Sequence, residues 1–321
     1  MTSSSLPADV KKMRKKSSIQ ERRFTRQGLI FASPWIIGFL GFTIFPIIMA
    51  IYYSFTDYDM FGDTNWVGWE NYIEIFDDRY TGRAVKNTIY IALVGVPIGQ
   101  IVALFLATLL NKKGVKGMPI FRTIFYLPTL VPAAACALLF LWVLNGKNGI
   151  LNIALSTIGL KAPGWLTDPN WTKPALIIMD TWRCGGAMII YLAALRSVPE
   201  SFYEAASLDG ANNTQKFWNI TIPFIAPTIQ FNGLMAMIGA FQYFVQAQIF
   251  SSITDYGSNA AAGGGPRNSM LFYCLHLYRK AFKQMEMGYA CAMAVLLAIV
   301  VMCVSYAIMY FSEKKITYSV E

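Results

Sequence analysis

The sequence predicts an all-α integral membrane protein: one six-helix transmembrane bundle with a helix-turn-helix on its cytoplasmic surface. Only 14% of its 321 residues are charged against 55% apolar, and mean hydropathy is +0.43. A soluble domain carries about 25% charged residues. The apolar residues fall into six runs that can each cross a bilayer core, which takes roughly 20 residues of helix. Between the fourth and fifth runs, 197–227 carries helix start and stop signals of its own.

The runs are about 29–55, 88–110, 120–144, 174–195, 222–250 and 289–311, within one transmembrane domain over 29–312. Pro46, Pro97, Pro128, Pro132 and Pro227 lie inside them. Each withholds an N–H and frees a carbonyl, so each permits a bend, fixed or moving. Trp35, Tyr52, Tyr53, Trp142, Trp171 and Tyr310 lie near run ends as interfacial anchors.

Lys and Arg set the orientation. They crowd the tail 1–28, the connection around Lys112, Lys113, Lys116 and Arg122, and the tail 313–321 at Lys314 and Lys315. Six spans put all three on one side, which the positive-inside rule makes cytoplasmic. Five or seven spans would strand a basic end outside. The tail 1–28 has no apolar core and does not read as a cleaved leader. The first outer loop is acidic; Arg267, Arg279, Lys280 and Lys283 in the last outer loop are the one conflict.

Several function classes fall away. The net charge of +9 lies beside the apolar runs rather than in an aromatic-interleaved stripe, so nucleic acid is not the expected partner. Cys136, Cys184, Cys291 and Cys303 sit in apolar runs and Cys274 in a polar loop, with no disulfide spacing. His276 stands alone, so no metal site is expected. No phosphate-binding GxxxxGK[ST] loop occurs, and ATP dependence would have to come from a partner. An ion-driven secondary transporter would bury several carboxylates where only Asp180 is found. A membrane enzyme lacks a catalytic set, and a passive scaffold leaves 197–227 unexplained.

In that segment, Ser197 and Glu200 have capping-box spacing, with Pro199 in the first turn. The helix should stop near Gly210, a second should run from about 213 to 220, and Thr221 and Pro223 should open the next span. Phe202, Ala205 and Ala206 share one face, with Glu204 and Asp209 at its rim. This face either meets another protein or packs beneath the chain's own bundle. DNA binding has only Lys216 to support it.

Glu204, Ala205, Ala206, then Asp209, Gly210, Ala211, then Phe217, Ile220 and Pro223, resemble the EAA loop of ABC importer permeases. The chain also resembles the sugar and glycerol-phosphate subgroup. The resemblance lies in Phe45-Pro46 with Tyr53 to Asp57, in Phe121-Arg122 with Leu127-Pro128, in Gly264 to Ser269, and in Ala281-Phe282 with Met287 to Ala290. It departs at Phe244-Val245-Gln246, where many members have an acidic residue after the aromatic, and in a short first outer loop.

The resemblance implies an ABC permease bundle that translocates a carbohydrate or glycerol-phosphate-like solute by alternating access. It implies two separate ATPase subunits that bind ATP and Mg and dock on the loop, a second homologous permease, an extracytoplasmic solute-binding protein, and a bacterial or archaeal cytoplasmic membrane.

Substrate candidates follow from polar residues inside apolar runs. Asp180 and Arg183 lie three apart and read first as an intrahelical pair, second as substrate contacts. In the fifth run Asn232, Gln242, Tyr243 and Gln246 stand out. Gln242 and Gln246 are i, i+4 neighbours flanking an aromatic ring, which suits sugar hydroxyls or, equally, a neighbouring helix. Arg267, Arg279, Lys280 and Lys283 are candidates for docking the receptor or attracting an acidic sugar, with snorkelling as the competing reading.

Overall fold

A computed structural model describes the backbone of residues 8–313 except 61, 63, 113, 115, 147 and 255–262, and side chains within 24–252 and 263–312. Lys113, Lys314, Lys315 and the basic side chains before residue 24 lie outside that set.

The described residues are helical apart from connections and one isolated bridge, Thr56 to Trp66. The helices are α1 (Ala8–Phe39), α2 (Phe45–Tyr53), α3 (Glu70–Asp77), α4 (Arg79–Tyr90), α5 (Val96–Asn111), α6 (Met118–Leu130), α7 (Ala133–Val143) and α8 (Ile150–Thr157). They continue with α9 (Thr172–Trp182), α10 (Gly185–Ser197), α11 (Glu200–Leu208), α12 (Asn213–Lys216), α13 (Ile222–Phe241), α14 (Val245–Thr254), α15 (Tyr273–Phe282) and α16 (Met287–Glu313).

Among the described residues, four stretches are long and apolar enough to cross a membrane: Phe24–Tyr53, Arg79–Asn111, Asn213–Ser252 and Met287–Ser312. The pairs α6–α7 and α9–α10 make six if each counts as one span, but they bend by 101° and 48°. The runs 120–144 and 174–195, expected as single helices, are therefore each two. The first helix reaches back to Ala8 through the basic stretch that the sequence reading set apart as a tail.

Prolines explain three local irregularities within the spans. Three π-turns, Leu40–Ile44, Ile91–Gly95 and Phe217–Thr221, each end two residues before a proline: Pro46, Pro97 and Pro223. A helical proline clashes with the carbonyl four residues back and gives it no bond. Widening that turn relieves the clash, and the helix closes instead through i→i+5 bonds. The N–H of Phe45, Val96 and Ile222 donate to the carbonyls of Leu40, Ile91 and Phe217. Pro128 and Pro132 flank the sharp α6–α7 break, whereas Pro227 sits inside an uninterrupted α13.

The interior is built on small residues. Ala84, Ala92, Ala103, Ala107, Ala137, Ala175 and Ala247 are fully buried, which lets helix backbones approach closely. One cluster gathers α5, α10 and the start of α13 around Tyr191, Leu195 and Ile225. A second gathers α7, α9, α14 and α15 around Phe140, Met179, Phe250 and Leu275, towards the opposite end. Buried amides tie connections to helices there: Asn87 donates to the carbonyls of Asn268 (2.9 Å) and Leu271 (2.8 Å), and Asn71 to those of Ser54 and Thr56. Outside, no residue in the apolar window of the first span is buried. Cys274, expected in a polar loop, lies half-buried in α15.

Candidate functional site

At one end of the bundle α11 and α12 form the expected surface unit, with two corrections. Ser197 does not cap α11. It is the last residue of α10, its Oγ donates back to the Ala194 carbonyl (2.8 Å), and Pro199 occupies the cap without a side-chain bond. The capping box is at Asn212, whose side chain accepts from Gln215 N–H (2.9 Å) while Gln215 Oε1 accepts from Asn212 N–H (2.8 Å). Nor is the second helix separate from the next span. α12 continues through the Phe217–Thr221 π-turn into α13, so it is a rigid extension of a membrane-crossing helix.

The turn between them closes as a Schellman motif. Ala211 N–H donates to Ala206 O (2.9 Å) and Gly210 N–H to Ser207 O (3.2 Å), with Gly210 at φ +78°. Only a residue that tolerates left-handed backbone fits there.

Tyr203 and Ile220 pack against the bundle, the Tyr203 and Thr221 hydroxyls hydrogen-bond (2.8 Å), and Lys216 Nζ donates to Ser207 Oγ (2.6 Å). Glu204, Ala205, Asp209, Gly210 and Pro223 are exposed, while Ala206, Ala211 and Phe217 are half-buried. The alternative that α11 packs beneath its own bundle fails, since none of its residues is buried. Two residues the sequence reading passed over dominate this surface: Leu208 is 90% exposed and Trp218 61%. A leucine two residues before the terminating glycine was the available signal.

Near the middle of the bundle a cavity of about 320 Å³ opens between α4–α5, α9–α10 and α13–α14. This is at the small end of the usual range for ligand pockets, about 300–1,000 Å³. Its polar lining is Gln100, Asp180, Thr181, Tyr243 and Gln246. Of the substrate-pathway candidates, Asp180, Tyr243 and Gln246 thus line one cavity. Gln242 does not join them. The helix is interrupted over 242–244, which cancels the i, i+4 relation to Gln246 and leaves Gln242 exposed. Asn232 is buried elsewhere, donating to Thr228 O (3.0 Å).

Gln100 was missed, although a glutamine inside an apolar run is a signal. It accepts from the Tyr191 hydroxyl and donates to Asn232 O (3.5 Å), joining three spans.

The expected Asp180–Arg183 pair is not closed. The helix breaks at Arg183, whose Nη2 donates instead to the Val131 carbonyl (3.3 Å). Asp180 feels Arg183 only through space and faces Tyr243, but the Tyr243 hydroxyl closes no hydrogen bond of good geometry. The Thr181 hydroxyl is likewise buried and unpartnered.

At the far end, the four basic docking candidates do not form one cluster. Arg279 folds inward, its Nη2 donating to Ser251 Oγ (3.2 Å). Lys280 pairs with Glu286 (2.5 Å) and lies over the Tyr289 ring (4.3 Å). Arg267 and Lys283 remain exposed. Beneath Lys280, the buried His276 meets Asp78 (2.9 Å), which also caps α4 through the N–H of Tyr80 and Thr81. Burial pushes the His276 imidazole down, and the hydrogen bond and charge of Asp78 only partly offset it. Burial pushes Asp78 up, but the Tyr80 N–H, His276 and Thr81 outweigh it and hold the carboxyl below its usual range.

The chain matches the family described as "Binding-protein-dependent transport system inner membrane component" over residues 95–318. It is 38% identical over 292 residues to a probable ABC transporter permease protein, YesP, of Bacillus subtilis, covering 90% of each chain. It is 32% identical to the lactose transport system permease protein LacF of Rhizobium radiobacter, covering 92% of this chain and 97% of that one. Among solved structures, it resembles a bacterial ABC transporter involved in the import of the acidic polysaccharide alginate, with TM-score 0.71, 26% identity, and coverage of 92% and 98%. It also resembles the alginate transporter in complex with a pentasaccharide-bound periplasmic protein, with TM-score 0.73, 25% identity, and coverage of 93% and 99%. With the Schellman-closed α11 surface at one end and the polar cavity between broken helices, these likenesses make the chain a member of the binding-protein-dependent transport system inner membrane component family, the permease subunits of ABC transporters.

Proposed function

We propose that this chain is the permease subunit of an importer that carries a carbohydrate across a bacterial or archaeal cytoplasmic membrane. The α11 end is cytoplasmic and docks an ATPase subunit that binds ATP and Mg. The opposite end meets an extracytoplasmic solute-binding protein, and a second homologous permease completes the pathway. One observation carries the reading: the Schellman-closed α11 presents Phe202 and Leu208 to solvent at 52% and 90% exposure, and the π-turn after α12 presents Trp218 at 61%, on a chain without a nucleotide-binding loop. Apolar side chains standing clear of the bundle mark a protein contact.

Because α12 is continuous with α13, and α13 reaches the cavity at Ala236, Gly239 and Ala240, movement imposed at that contact is delivered to the cavity wall. Relatives named for lactose and arabinooligosaccharide transport support a sugar as the cargo. So do the cavity's amides, hydroxyls and carboxylate, which suit sugar hydroxyls. With Arg279 and Lys280 engaged, the basic residues of the far end give no particular support to an acidic sugar.

The test is reconstitution in liposomes with a partner permease, an ATPase subunit and a solute-binding protein of the same system. Sugar uptake should require ATP and receptor together. Uptake by this chain alone, or uptake driven by an ion gradient, would overturn the reading.

A further inference from the structure

Arg183 sits where interruptions in two membrane-crossing helices meet. The α6–α7 break frees the Val131 carbonyl, and Arg183 Nη2 takes it (3.3 Å). The α9–α10 break frees the Arg183 carbonyl, and Thr129 Oγ1 donates to it (3.2 Å) while accepting from Gly186 N–H (3.1 Å). Each break therefore supplies the polar partner that the other lacks, which irregular backbone inside a membrane requires. Contact is so close that a Cβ on Gly185 would lie 2.1 Å from the Phe125 carbonyl oxygen.

The guanidinium is nonetheless underused. It carries five donors, yet its Nε is buried with no partner. Its charge reaches Asp180 and Tyr243 on the cavity wall and Cys136 on α7. Among the described residues no Lys or Arg lines the cavity, and Arg183 lies behind Asp180 as a balancing cation.

We propose that Arg183 is a positioning residue for translocation, acting on the cargo through Asp180. It holds the α6–α7 and α9–α10 breaks together and keeps the carboxylate facing the cavity as a charged acceptor for cargo hydroxyls. A cargo hydroxyl that bonds Asp180 changes the pull between that carboxylate and the Arg183 guanidinium that clamps the breaks. Occupancy then biases the two breaks, because the ligand interacts differently with the two arrangements. This rests on the carbohydrate-permease reading and names the device that would sense the cargo.

The experiment uses the full reconstituted complex with lactose, arabinooligosaccharides and alginate oligosaccharides as probes. Arg183→Gln and Asp180→Asn should each raise the half-saturation of uptake about tenfold, the order of one charge-assisted hydrogen bond, with a smaller effect on maximal rate. The double variant should be no worse than either single one, and Arg183→Lys should recover most of the affinity. Multiplied losses in the double variant, or an unchanged half-saturation in Arg183→Gln, overturn the proposal.

Cys184 gives a readout that needs no sugar. It follows Arg183 and lines the cavity, so Arg183→Gln should speed its modification by a small methanethiosulfonate severalfold. An unchanged rate overturns Arg183 as the clamp on the breaks. If none of the probes is carried by the unaltered complex while Cys184 responds, the sugar reading fails and the clamp stands.

Discussion

The α11–α12 surface and the cavity are both built from polar and small residues, yet they are held together in different ways. The surface is local. Its Schellman turn joins Ala206 and Ser207 to Gly210 and Ala211, its capping box joins Asn212 to Gln215, and its wider ties, Tyr203 to Thr221 and Phe202 to Phe224, still span little more than twenty residues. The cavity is not. It gathers Gln100, Asp180 and Gln246 from three spans, and its shape depends on helix breaks whose hydrogen bonds cross from α6 to α10. Local bonds make a stiff part that another protein can push. Bonds between broken helices make a part that can rearrange by exchanging hydrogen-bond partners, which is what the proposed function asks of the cavity wall.

The largest effect that tests this contrast comes from the stiff part. Gly210→Pro demands φ of about −65° where the chain holds +78°, and it deletes the N–H that donates to Ser207. Uptake should fall at least about tenfold, with membrane insertion and receptor-independent ATP hydrolysis retained. Gly210→Ala meets no atom within 4 Å and keeps the N–H, so it should cost only the left-handed backbone strain, about 1–2 kcal/mol. Equal uptake by Gly210→Pro and the unaltered chain would reduce the surface to a passive loop.

In the cavity, Tyr243→Phe should produce a smaller effect of a different kind. The hydroxyl is buried without a hydrogen-bond partner, so its loss should leave the melting temperature in detergent unchanged or slightly raised. Uptake half-saturation should rise roughly two- to tenfold, the value of one neutral hydrogen bond. A lower melting temperature with unchanged uptake would show the hydroxyl to be structural.

The smallest effect lies at neither region and serves as a control. His276 is buried and its folded pKa is depressed by that burial. Below about pH 6.5 the unfolded chain therefore binds a proton that the folded chain refuses, and stability falls as pH falls. Asp78, also depressed, acts with the same sign below its unfolded value of 3.8. His276→Asn should flatten the decline in melting temperature just below pH 6.5 without changing uptake at neutral pH. An unaltered decline would assign the pH response to other groups.

How legible each region is in the sequence follows the same contrast. Gly210 declared its turn because only glycine takes that backbone readily, and Glu204 to Ala211 carried their spacing in plain order. Spacing predicts a capping box at Ser197, whereas it forms at Asn212, since both have a polar residue three positions on and only packing decides which one is free to cap. Spacing three apart predicts an Asp180–Arg183 pair on an unbroken helix. The break that separates them is stabilised by Thr129 and Val131, more than fifty residues away in the chain.

Composition alone determined that this protein lives in a membrane, because no water-soluble core accommodates six apolar runs with so few charges. Local chemistry determined the prolines' π-turns and the helix-turn-helix. The tertiary structure alone decided which polar residues share the cavity, which basic residues remain exposed at the far end, and where α6–α7 and α9–α10 bend. Those outcomes depend on partners distant in sequence, and a freed carbonyl inside a membrane has no preference until a donor from another helix reaches it.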